Sequence, residues 1–255
     1  MKLDNTAIQN MERIYRLNLI NSITGIKPAN LVGTVSDAGN TNLAIFSSVI
    51  HLGSDPALIG FVTRPAGEVP RHTYENILAN GKYTINHVHP SFAEQAHQTS
   101  AKFPQDVSEF DACGLTEEFV DGFEAPFVLE SSLKLGLELV EEIPVKQNGT
   151  TLIIGRIAIA IVPDKALDSE GHLDLEKADS AGISGLNSYY SVKKIGQYPY
   201  ARVAKSTFTS VERETSLPRF DDDELEELIT EGERDVANNN TLTHDEVKRR
   251  LNFPG

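Results

Sequence analysis

The chain has 255 residues, enough to bury a substantial core as one large domain or as a domain with an appendage. An apolar fraction of 40% and a charged fraction of 24% fit an ordinary soluble globular protein. A formal net charge of −14 argues against coating DNA or RNA and against lying on an anionic membrane, since both need gathered Lys and Arg.

In chain order, the first predicted element is a helix over residues 5–19, capped by Asp4 or Asn5, with Ile8, Met11, Ile14 and Tyr15 at helical spacing. Strand character follows at Leu31–Val35, then Asp37-Ala38-Gly39-Asn40 as a tight turn, then a return strand over Asn42–Val49. After the turn-rich Gly53-Ser54-Asp55-Pro56, a third strand is expected at Ala57–Thr63. A short helix, Thr73–Ala79, should stop at Asn80-Gly81, residues suited to a left-handed cap, before strand character resumes at Lys82–Val88. Pro90–Ser100 reads as a short helix and Gly114–Pro126 as loop-rich. Two long β runs, Phe127–Ile143 and Thr151–Val162, flank a Gln147-Asn148-Gly149 turn. Gly182-Ile183-Ser184-Gly185 is no dinucleotide fingerprint and reads as an irregular connector or a loop that folds over a ligand.

The longest strongly apolar stretch, Leu152–Val162, is broken by Gly155 and Arg156 and is too short to span a bilayer. The opening MKLDNTAIQNMERIY lacks the apolar run of a signal peptide, so a cytoplasmic location is expected. The last stretch differs in kind. Val211–Gly255 holds 13 acidic and 6 basic residues, a net −7 and half of the total. Phe220–Ile229 suits an acidic amphipathic helix, and Thr243-His244-Asp245-Glu246 suits a capping box before a second one. The expected division is a domain over 1–210 and an acidic helical C-terminal arm over 211–255. Many antiparallel strands with a few inserted helices, and no βαβ alternation, make the fold class mainly β with inserted helices, a β-barrel rather than a parallel sheet.

Chemistry can reside in two places. Asn42–Val49 sets small and hydroxyl residues at a strand end, where a flat ring could approach the backbone, although such residues are also ordinary structure. Arg64-Pro65 and Arg71-His72-Thr73 lie around a helix start, whose free amides, guanidinium groups and a hydroxyl would make a monophosphate clamp or simply a charged surface loop. Cys113, the single cysteine, has no partner for an internal disulfide and reads as a packed thiol. His87 and His89 could share a strand face with His97 nearby, but no accompanying carboxylate pattern or HExxH points to a metal. Neither Ser47 nor Ser48 lies in a nucleophile elbow.

Several blocks then occur in order. They are Gly33-Thr34, Asn42 to Val49, Gly53-Ser54-Asp55-Pro56-Ala57-Leu58-Ile59-Gly60-Phe61, Arg64-Pro65, His72-Thr73-Tyr74-Glu75-Asn76-Ile77 and Gly81-Lys82-Tyr83-Thr84-Ile85-Asn86. Together with Phe110-Asp111-Ala112-Cys113-Gly114-Leu115, Ala125-Pro126 and the Leu133–Ile161 hairpin, they resemble the flavin reductase-like FMN-binding split β-barrel family, nearest its flavoredoxin-like members. The resemblance spans roughly Ile20–Val203. Two departures stand out: Ala57 where many members have a second proline, and an acidic tail beyond the usual family core.

The resemblance implies a homodimer with FMN at the subunit interface. It would set the isoalloxazine edge against the backbone of Asn42, Leu43, Ala44 and Phe46, with amides near Ala44 as donors. The phosphate would lie near Ser47, Ser48, Arg64, Arg71 and Thr73, with Thr34, His72, Asn86 and His87 in the same pocket. The implied activity is NADH- or NADPH-dependent reduction of flavin or another small acceptor through bound FMN, with no catalytic side chain required. The alternatives are an FMN-binding electron carrier reduced by a partner, and a flavin-free interaction protein that works through its tail.

Overall fold

The computed structural model describes residues 1–202 apart from 66, 68, 69 and 121. Its strands, in chain order, are β1 (Lys27–Pro28), β2 (Asn30–Val35), β3 (Thr41–Phe46), β4 (Ile50–Ser54), β5 (Ala57–Thr63) and β6 (Lys82–His87). They continue as β7 (Glu117–Glu118), β8 (Phe127–Val128), β9 (Lys134–Val145), β10 (Thr150–Ile161), β11 (Ala181–Ser184) and β12 (Ser188–Ser191). The helices are α1 (Asn5–Gln9), α2 (Arg13–Ser22), α3 (His72–Asn80), α4 (Ala93–Gln98) and α5 (Glu109–Cys113). Met1–Gln197 form one compact unit. The expected boundary at 210 and the acidic helical arm lie outside the described residues.

Seven strands pair antiparallel in the order β3-β2-β6-β9-β10-β5-β4. The two edge strands are consecutive in the chain, so the segment 47–49 that joins them must cross from one end of the sheet order to the other. The sheet therefore curls. Phe46 at the end of β3 meets Phe61 of β5 edge to face, with ring centroids 4.9 Å apart. Ser48 clasps the same seam: its hydroxyl accepts from the Val62 amide (3.0 Å) and lies 3.2 Å from the Val62 carbonyl, to which it donates. Val32, Phe61, Tyr83, Ile85, Leu137 and Ile153 fill the barrel, and Ile77 of α3 plugs it.

A second core lies against the outer wall. Leu31 and Leu43 face away from the barrel and pack with Val88, Phe92, Ala96, Phe110, Val128 and Ile183. Alternation along β2, with Leu31 on one side and Val32 on the other, is the period-2 pattern expected of a strand buried on both faces. Close approach explains two glycines. A Cβ on Gly33 would sit 2.3 Å from the Pro126 carbonyl oxygen, and one on Gly155 would sit 2.1 Å from the Tyr83 hydroxyl. Gly155 thus breaks the isoleucine-rich run where β10 passes over Tyr83.

Several expectations are corrected. The helix over 5–19 is two helices: Asp4 caps α1 through the Ala7 amide, and then Glu12 takes the amides of Ile14 (2.8 Å) and Tyr15 (2.9 Å) and starts α2, which runs to Ser22. The return strand stops at Phe46, and 47–49 is the crossing segment rather than strand. β4 was not expected; it is a short, largely exposed edge strand whose burial carries no alternation. The run from Phe127 to Ile143 is broken. Ser131 and Ser132 donate hydroxyl hydrogen bonds to the carbonyls of His87 and Ala178, and β9 begins only at Lys134. Gly182–Gly185 is no irregular connector: β11 and β12 form a hairpin, with Gly185 at φ 62° in its turn, and β1 extends it to three strands. Among the described residues no helix is long and apolar enough to cross a membrane.

Candidate functional site

A cleft of about 1000 Å³ opens along the free edge of β3. One wall is Asn42, Ala44 and Phe46 with Ser47 and Ser48. Arg64, just after β5, and Arg71, His72 and Thr73 at the start of α3 form the next. The far side comes from the loop 99–105 after α4, from Glu109, and from Ile183, Leu186 and Asn187 of the β11–β12 hairpin.

Backbone direction along β3 follows from its pairing. Ser36 donates to the Asn40 carbonyl in the preceding turn, and Thr34 stands opposite Asn42 and Val32 opposite Ala44. Alternation in an antiparallel ladder then turns the N–H and C=O groups of Asn42 and Ala44 toward β2, and those of Leu43 and Ile45 toward the open edge. The Leu43 amide is seen there, donating to Glu109 Oε2 at 2.9 Å. On that edge the amide of Ile45, next to Ala44, has no hydrogen-bond partner among the described residues.

The start of α3 borders the cleft through Arg71, His72 and Thr73. Arg71 at its N-cap makes no side-chain capping bond, and among the described residues the amides of the first turn have no side-chain acceptor. Arg71 instead donates through Nε to the Pro65 carbonyl (3.2 Å), and its amide donates to Glu75 Oε1 (3.1 Å). Buried amides fix this turn to the strands. Asn42 Nδ2 donates to Thr73 Oγ1 (2.9 Å) and Thr34 Oγ1 (3.3 Å), and Asn76 Nδ2 donates to Thr34 Oγ1 (3.1 Å). Thr34 is fully buried behind the wall and holds the residues that line it.

The structure thus brings Asn42, Ala44, Phe46, Ser47, Ser48, Arg64, Arg71, His72 and Thr73 to one cleft. The Ser48 hydroxyl is committed to Val62, whereas that of Ser47 has no hydrogen-bond partner among the described residues. Leu43 does not line the cleft: its side chain is wholly buried and its amide is taken by Glu109. Asn86 and His87 do not line the cleft. Asn86 spends its amide on Leu31, Thr84 and the Val128 N–H, tying β8 to the barrel. His87 Nδ1 lies 3.1 Å from Ser180 Oγ, and burial pushes its pKa down to about 4, so the ring is neutral at physiological pH. Cys113 is buried in α5, its thiol pushed up by burial and by the Glu109 carboxylate. Among the described residues no group of three His, Cys, Asp or Glu could hold a metal.

The Ile183–Asn187 side answers to the alternative reading of Gly182–Gly185 as a loop beside a ligand, whereas Lys102 on the loop wall and, above all, Glu109 were not singled out in the sequence. Ser108-Glu109-Phe110 carries no recognisable motif on its own. The one available signal was a carboxylate just before the Phe110-Asp111-Ala112-Cys113-Gly114-Leu115 block.

Residues 26–175 match the model of the family described as "Flavin reductase like domain". A crystal structure of a candidate flavin reductase with a split barrel domain, from Shewanella frigidimarina, is 49% identical, covers 79% of this chain and 100% of its own, and superposes with a TM-score of 0.76. An uncharacterized protein of Halalkalibacterium halodurans is 31% identical over 69% of this chain and 85% of its own. The flavoredoxin of Desulfovibrio vulgaris, at 24% identity, shares the fold with a TM-score of 0.60 over 69% of this chain and 92% of its own.

Proposed function

This chain belongs to the flavin reductase like domain family and folds as its split barrel, and from that premise we propose that the cleft along β3 binds FMN and serves NAD(P)H-dependent reduction of flavin or another small acceptor. One observation carries the reading. A free strand edge and a helix start with no side-chain cap among the described residues, flanked by Arg64 and Arg71, converge on a single cleft of ligand size. The residues fit the group. Ala44 leaves room for a planar ring beside the Ile45 amide, and the first turn of α3 with Arg64, Arg71 and Ser47 provides donors and charge for a phosphate.

When bound, FMN supplies hydride and one-electron chemistry. The chain's contribution is placement. Strand backbone would orient the ring, the Thr34–Asn42–Asn76 cluster keeps the helix start in register, and the loop 99–105 with the β11–β12 hairpin limits water. The homodimer belongs to the same reading. Ile14, Tyr15, Ile20, Ile23 and Ile26 lie exposed on the N-terminal segment, an apolar surface that a second copy would cover.

The test is direct. Purified protein should take up FMN and show its visible absorbance, and it should oxidise NADH or NADPH with free FMN as acceptor. Protein that takes up no flavin ends the reading, and protein that holds flavin but oxidises neither nucleotide is a carrier. The double variant Arg64→Ala/Thr73→Ala removes a charged partner and a hydroxyl from the phosphate seat. It should lose about 3 kcal/mol of FMN binding, more than a hundredfold in Kd by calorimetry.

A further inference from the structure

Charge in the cleft is uneven. Arg64, Arg71 and Lys102 line it, and Glu109 is the one carboxylate that does so among the described residues. Glu109 is only 6% exposed, and its Oε2 holds the Leu43 amide at 2.9 Å on the open edge of β3. The next amide facing outward on that edge belongs to Ile45, two residues and about 7 Å along the strand. Satisfying one amide does not require an acid, since a glutamine carbonyl or a serine hydroxyl accepts the same bond without the desolvation cost of a buried charge. That cost is real here: burial raises the Glu109 carboxyl above its ordinary value, only partly offset by the bond from Leu43 and by His72.

We infer that Glu109 is a tuning residue that makes this site hold reduced FMN more weakly than oxidised FMN. The inference rests on the FMN reading above and goes beyond it by assigning a direction to the site's preference. Reduction by two electrons adds negative charge at the pyrimidine edge of the ring. A fixed anion close to where that edge meets the strand raises the energy of the more negative form. Two unit charges about 7 Å apart in an effective dielectric of about 20 correspond to roughly fiftyfold in an affinity ratio, and water and the cleft's cations reduce this to about tenfold. A site with that bias retains the oxidised ligand and releases the reduced one. That behaviour suits flavin as a shuttled product, whereas a carrier must grip both forms.

The experiment titrates protein anaerobically at pH 8 with oxidised FMN and with FMN reduced by dithionite, and compares the two Kd values. The neutral variants Glu109→Gln and Glu109→Met should shift the ratio about tenfold in favour of the reduced form. Glu109→Asp, which keeps the charge, should stay within about threefold of the parent. A ratio unchanged in a folded neutral variant overturns the inference and leaves FMN binding intact. Failure of both neutral variants to fold, with Glu109→Asp folding normally, also overturns it by assigning the carboxylate to the fold. If the parent binds neither form, the FMN reading itself fails, and that outcome is distinct from the other two.

Discussion

His87 shows how far a residue's neighbours outweigh its type. Its folded pKa of about 4 lies below the ordinary 6.5, so the folded state binds fewer protons than the unfolded chain. The resulting stabilisation is complete above about pH 6.5 and is lost as pH falls toward 4, at most about 3 kcal/mol. Denaturant midpoints should fall over that window in the parent, and His87→Gln should remove most of the slope. At this scale the sequence was partly legible. The arginines, Thr73 and the small residues of β3 stood out by residue type, and the structure gathers them at one cleft. Asn86 and His87 could not be separated from them, since a polar side chain ending a strand looks the same whether it faces a ligand or secures Val128 and Ser180. Glu109 was invisible for the opposite reason, because its partner Leu43 lies 66 positions away and only folding brings them together.

Elements were read best where periodicity and punctuation agree. α3 ends at Gly81 in the left-handed conformation (φ 70°), as Asn80-Gly81 announced, and the β9–β10 hairpin closes around Gly149 as its turn residues required. The misses have physical causes. Nothing apolar marks the break between α1 and α2, which a surface carboxylate makes by capturing two amides. β4 buries too little to show alternation, and the β11–β12 hairpin is too short to announce itself. The apolar run of β10 was legible, but the role of its glycine was not. Gly155→Ala should force the Tyr83 ring aside and destabilise the barrel by about 1–3 kcal/mol in urea unfolding, with little change for the exposed control Asp37→Ala.

For the molecule as a whole, the dimer prediction stands on the N-terminal segment. Among the described residues none in α1 or α2 is buried, although Ile14, Leu17 and Ile20 recur at helical spacing along α2. Sedimentation should give a dimer, and the double variant Ile14→Asp/Ile20→Asp should shift it toward monomer and weaken FMN uptake in parallel. A monomer that still binds FMN tightly would separate the site from the interface. Removing residues 211–255 should leave FMN content unchanged, because the family match ends at residue 175. Loss of flavin in the truncated chain would give the acidic tail a part in binding.

The Ser48 clasp couples two events that look separate. The same three-residue crossing, 47–49, closes the seam between β3 and β5 and borders the cleft, so a ligand resting against Ser47 stiffens the stitch that its neighbour makes. The amide hydrogen of Val62, held at 3.0 Å by Ser48, should then exchange with deuterated water more slowly once the cleft is filled. Amides deep in β9 and β10 would keep their rates, making Val62 a local gauge of occupancy that needs neither colour nor turnover.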